Sequence, residues 1–302
     1  MKFFILLSFL YFYLVQSHII RSSSSEWSML KKITVEHVVA PNDIDLAQIT
    51  DEVWDDIVSM CPTVPNAPRI NVFFDYLIEN TTILAYASQT LHLSSEGVWV
   101  STLYEAMKQN RNYSLGSSYD MEIGFNPNPP NGWHIENNCT GISARYDLRT
   151  VLRHELLHGF ILAGSIREDS NVWTVGYTFN GVCYPRLYDT LIMDKDNNTV
   201  VNGCQLDDVV GKDLFIGNVE LFHPYSFWPG SSISHHNYPG NLMYYALPSM
   251  TCLNLGDYEG HLLAKLDVAC VIGNKTFENS RATKNTYCCL YVVILILIVL
   301  LC

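Results

Sequence analysis

His154-Glu155-Leu156-Leu157-His158 is an H-E-x-x-H motif. On a helix, residues four apart lie one above the other on one face. Two imidazoles so placed can grip one metal ion, and the intervening Glu155 can reach a water on that ion. The chemistry this spacing serves is metal-assisted hydrolysis. The plain alternative is an amphipathic helix whose polar face happens to carry His and Glu. Chance is a poor explanation in a chain with only 10 histidines among 302 residues. A catalytic zinc takes three protein ligands and keeps one open position. Two sources for the third ligand stand downstream: Glu168, in the loop-like run Arg167–Ser170, and the pair His235-His236. Successive side chains of extended chain point oppositely, so only one of that pair can face the ion.

The motif needs a helix to carry it. Asp147 is placed to cap that helix, and Leu148, Val151, Leu152, Leu156 and Phe160 form an apolar stripe at helical spacing. Ala163-Gly164 is the expected stop. Upstream, residues 42–60 read as a helix capped by Asn42 or Asp43. Residues 69–76 and 82–88 read as strands, with 91–93 extending the second. Residues 97–110 read as a helix, and 120–125 as a strand closed by Asn126-Pro127-Asn128-Pro129-Pro130. The 120–125 strand is a candidate to bind peptide by edge pairing. Beyond Gly164 the regularity fades, and no internal repeat is seen. The fold class expected is α+β: an upstream lobe with a sheet and the motif helix, and an irregular downstream lobe held by disulfides. Asp194–Asn198 starts like a calcium loop, but Thr199 stands where such loops need Gly and Gln205 where they need Glu, so a polar turn is expected.

Both ends read as targeting segments. Residues 1–17 carry Lys2 and then an apolar run, as a secretory signal does. Residues 281–302 are a polar spacer and a short uncharged apolar tail, closer to a glycolipid-anchor signal than to a membrane span. Residues 18–60 form a leading helix or a removable propeptide, 61–164 the motif lobe and 165–280 the downstream lobe. Sequons at Asn80, Asn112, Asn138, Asn197 and Asn274 suit export to the cell surface. Cys61, Cys139, Cys183, Cys204, Cys252 and Cys270 suggest three disulfides. Nearness in sequence favours Cys183–Cys204 and Cys252–Cys270, leaving Cys61–Cys139. A net charge of −12 with no basic patch excludes nucleic acid as a partner.

HELLHGF, then a long insertion, then GSSISHH and NLMYYAL together resemble the leishmanolysin-type metzincins. The resemblance spans roughly Arg69–Leu247. It implies a zincin-like fold with a twisted mixed sheet, one catalytic Zn2+, and an endopeptidase acting on protein or peptide substrates. It assigns His154, His158 and His235 as metal ligands, Glu155 as general base and Met243 as the Met-turn residue. Tyr245 corresponds to a tyrosine that assists the transition state in some members. One departure stands out: Ile161 occupies the place of the family's glycine, which predicts a helix running on to Gly164. The alternative function is a surface adhesion or binding protein that keeps the fold without turnover.

Overall fold

The computed structural model describes residues 32–35, 44–65, 68–79, 81–109, 119–169, 172–207 and 209–278. The expected signal segment, the C-terminal tail, and the sequons at Asn80 and Asn112 lie outside these residues. The fold is mixed α+β, with small sheets and three disulfides. No helix of the described residues is long and apolar enough to cross a membrane.

The principal sheet has four strands. In chain order they are β1 (Lys32–Val35), β2 (Arg69–Phe74), β3 (Ala85–Gln89) and, after the β4–β5 hairpin (Leu91–Leu93 and Trp99–Ser101), β6 (Met121–Phe125). Their spatial order is β1-β2-β6-β3, with β3 antiparallel and the others parallel. The sheet is therefore mixed, as expected. β6 is interior, which overturns its reading as the peptide-binding edge. Its central place suits its composition: Met121, Ile123 and Phe125, which alternate onto one face, are fully buried, while Glu122 on the other face is exposed. The antiparallel edge is β3.

Two helices cross this sheet. α1 (Leu46–Met60) is capped by Asp45, whose carboxylate accepts from the Gln48 N–H at 3.0 Å. The cap is thus two or three residues later than the sequence suggested. Leu46, Ile49, Val53, Trp54 and Ile57 bury one face at helical spacing. After α2 (Thr102–Gln109) comes the motif helix, α3 (Leu148–Phe160). Asp147 caps it as anticipated, accepting from the Thr150 N–H at 2.8 Å and the Thr150 hydroxyl at 2.7 Å. α1 packs directly on α3. Trp54 meets Phe160 edge-to-face at 6.4 Å, and Arg149 and Arg153 pair with Glu52 and Asp56. Residues 46–60 are therefore part of the core that supports the motif.

α3 stops at Phe160, so the expected extension to Gly164 does not occur. Its last carbonyls find partners elsewhere. Gln89 donates to the His158 carbonyl, Ser101 to the Phe160 carbonyl, and the Ile161 and Leu162 N–H groups to that of Leu157. Terminal carbonyls satisfied this way need no glycine cap. Ile161 has φ −161°, which any residue adopts. The glycine that matters is Gly159: a Cβ there would lie 2.5 Å from Met121 Sδ on β6.

Downstream of α3 the chain runs through two-stranded hairpins and a three-stranded sheet to α4 (Asp257–Lys265), a helix the sequence reading missed. The apolar core is continuous across both halves. Cys183–Cys204 pairs as expected, but the other bonds are Cys61–Cys270 and Cys139–Cys252. Closing a longer loop costs only slightly more entropy. Tertiary adjacency therefore chooses the partners, and the end of α1 lies beside the hairpin that begins at Cys270.

Gly159→Ala is expected to lower stability by about 1–3 kcal/mol through overpacking against Met121. Helix propensity alone would raise it by about 1 kcal/mol. Denaturant unfolding decides the sign, and an unchanged or more stable variant would refute the close helix–sheet approach.

Candidate metal centre

α3 sets His154 and His158 on one face, one turn apart. The third imidazole arrives from the downstream half of the chain, on the segment Ser231–His236. The Nε2 atoms of His154 and His158 are 3.1 Å apart, and each lies 3.0 Å from Nε2 of His235. Among the described residues this is the cluster able to hold a metal ion.

The outer nitrogens determine what the inner ones can do. His154 Nδ1 lies 2.7 Å from the Leu242 carbonyl, His235 Nδ1 lies 2.8 Å from that of Ser231, and His158 Nδ1 bonds that of Leu162. A carbonyl only accepts, so each Nδ1 carries the proton. Each Nε2 of a neutral ring is then a bare lone pair. Burial holds the rings neutral: it lowers the pKa of His154 to about 3 and of His158 to about 4, and holds that of His235 well below the ordinary value. Three buried lone pairs facing one another repel and lack donors, an arrangement a cation resolves. Three corners of a tetrahedron at a Zn–N distance of 2.0–2.1 Å lie about 3.3 Å apart, close to the spacing found. The donor set fits a single metal ion.

Glu155 lies beside the first ligand and is buried. Burial pushes its carboxyl pKa up to about 8. A nearby dication would draw it back toward the ionised form.

The segment that delivers His235 is held at several points. Ile233, fully buried, has φ +70°, a strained conformation for a β-branched residue. Its N–H donates to the Phe222 carbonyl at 2.7 Å, and its carbonyl accepts from the Tyr188 hydroxyl at 3.0 Å. The Phe222 N–H returns a bond to the His235 carbonyl at 2.8 Å.

The remaining candidates separate cleanly. Glu168 is exposed on the Arg167–Asp169 strand, away from the cluster. His236 turns the other way and bonds Glu259 Oε1 at 2.9 Å. Met243 is fully buried in the loop that supplies the Leu242 carbonyl. Tyr245 is half-buried, its ring stacked on Phe222 at 3.6 Å and edge-on to Trp228 at 5.9 Å; no bond joins it to the three histidines among the described contacts. Asp194 closes its own turn by accepting from the Asp196 and Asn198 N–H groups, each at 2.9 Å, as a polar turn does. Two residues that brace the cluster's surroundings escaped the sequence reading. Gln89 ties the edge strand to the motif helix. Glu259 was signalled only by Gly256-Asp257-Tyr258-Glu259 ahead of an apolar pair, an N-terminal helix pattern.

No protein-family model, curated protein or solved structure matches the chain.

Stripped of metal, the folded chain keeps a proton on Glu155 that the unfolded chain releases between pH 4.5 and about 8. Stability must then fall as pH rises through this window. Glu155→Gln removes that loss and leaves the histidines unchanged. The metal-free variant is expected to exceed the wild type in melting temperature at pH 8 and to converge with it near pH 4.5. A gap that fails to widen with pH would refute the buried-carboxyl assignment.

Proposed function

We propose that this chain is a zinc-dependent endopeptidase of the leishmanolysin-like metzincin type. The observation that carries the reading is the convergence of three unprotonated Nε2 atoms, two of them flanking Glu155 on one helix. Three neutral histidines with an open position form the donor set of a catalytic rather than a closed structural site. When bound, zinc supplies Lewis acidity toward a carbonyl and a water.

Glu155 is the general base. It accepts the proton of the attacking water and returns it to the departing amine. Its burial beside the ligands keeps that proton from bulk solvent. β3 is the strand suited to an extended peptide, because its outer backbone edge is unpaired among the described strands. Its final residue, Gln89, bonds the carbonyl of His158, so the strand and the metal helix are mechanically joined. Tyr245 keeps its family role in this proposal. It stacks on Phe222, which bonds the His235 backbone.

Export to the cell surface and tethering by the C-terminal signal belong to the same proposal. Three disulfides suit an oxidising compartment. The sequon residues Asn138, Asn197 and Asn274 are exposed, as glycan acceptors must be.

Glu155→Gln should retain one zinc per chain while hydrolysis of a quenched general peptide substrate falls at least about 10²–10⁴-fold. A chelator should abolish wild-type cleavage, and added zinc should restore it. Undiminished cleavage by the purified variant would overturn the assignment. Stoichiometric zinc in a wild-type chain that cleaves nothing would favour the adhesion-protein alternative.

A further inference from the structure

Glu259 is buried without any exposed surface, far along the chain from the motif, yet it touches the loop that meets the first ligand. Its Oε1 accepts from His236 Nε2 at 2.9 Å and from the Met243 N–H at 2.9 Å, and its Oε2 accepts from the Gly256 N–H at 2.9 Å. His236 Nδ1 accepts from the Tyr238 N–H at 3.3 Å, so the imidazole proton sits on Nε2 and points at the carboxylate. Burial opposes ionisation of Glu259, but the His236, Met243 and Gly256 bonds outweigh it and hold its pKa below the ordinary value.

The Met243 nitrogen and the Leu242 carbonyl belong to one peptide group. At one end of it the N–H donates to Glu259, at 2.9 Å. At the other end the carbonyl accepts from His154 Nδ1, at 2.7 Å. A negative charge on the N–H side polarises the amide and strengthens its carbonyl as an acceptor. A stronger acceptor at Nδ1 makes the opposite nitrogen, Nε2, a better donor to a metal. The same carboxylate also holds His236, the residue next to His235. The backbone reinforces the link, since the His236 N–H donates to the Met243 carbonyl at 3.1 Å.

We propose that Glu259 is a positioning residue of the metal centre: through the Leu242–Met243 peptide it orients and polarises His154, and through His236 it anchors His235. His158 stands outside this network, since its Nδ1 partner is the Leu162 carbonyl just past its own helix. The inference rests on the metal-site reading and not on peptidase activity.

The test uses the full chain. Zinc affinity is measured by competition with a chromophoric chelator, together with histidine ¹H–¹⁵N spectra of the zinc-loaded protein. Glu259→Gln keeps the side-chain volume and removes the charge. It should weaken zinc binding about 10–100-fold and shift the Nδ1–H signals of His154 and His235 while leaving that of His158 in place. His236→Leu cuts one arm only and should move His235 but not His154. It carries the test if Glu259→Gln does not fold. A purely structural role would lower the melting temperature with zinc affinity of the folded protein unchanged, and that result overturns the proposal. Equal displacement of all three histidine signals overturns it as well. If the wild-type chain binds no zinc, the metal-site reading itself fails. Tight wild-type binding matched by the variants refutes Glu259 alone.

Discussion

Three imidazole lone pairs held about 3 Å apart are the constraint on which the rest of this structure depends. Such an arrangement is electrostatically unfavourable by itself. It persists because each ring is locked through its other nitrogen to a backbone carbonyl, and because burial keeps each ring neutral. Those carbonyls come from three places: the chain just past the motif helix, the segment carrying the third ligand, and the loop at Leu242. The tautomer that exposes Nε2 is therefore set by local chain for His158 and His235, each bonded four residues away, and by the tertiary fold for His154. A cation satisfies all three donors at once.

The core serves to hold that geometry. α3 is buried on nearly every side, packed on β3 and β6 of the sheet with α1 beside it. Gly159 lets it approach β6, and Gln89 and Ser101 close its exposed carbonyls. These tertiary donors replace a glycine-capped end, which is why Ile161 is tolerated where a glycine was expected. The bend at Ile161 is made without a left-handed φ. Strain is concentrated at Ile233, two residues before the third ligand, where it is held by bonds to Phe222 and Tyr188.

Much of the site was legible because its signals are local. The i, i+4 histidines, the Asp147 cap and the apolar stripe of α3 all depend on helical period. That only one of His235 and His236 faces the cluster was also expected, although the chain there is a turn and bend and not an extended strand. The strands at 69–74 and 121–125 were legible for the same reason, through β-rich composition and turn residues at their ends. Errors fell where a reading required knowledge of neighbours. β6 looked like a possible edge because its residues do not state which strands flank it. The disulfides were paired by proximity in sequence, and two of the three proved to join distant segments. Glu259 carried only a weak helix-start signal, and nothing in that signal points to Met243 or His236.

The sequence by itself determined the donor types, their helical spacing and the carboxyl beside them. These follow from short-range periodicity and side-chain chemistry. Only the tertiary structure decided that His235 rather than Glu168 completes the cluster, that the Leu242 carbonyl meets His154, and that the buried Glu259 carboxylate meets Met243 and His236. The physical reason is that these relations depend on closeness in space between residues apart in the chain, 77 positions for His158 and His235 and 88 for His154 and Leu242, and sheet order and core burial set that closeness while residue spacing leaves it open.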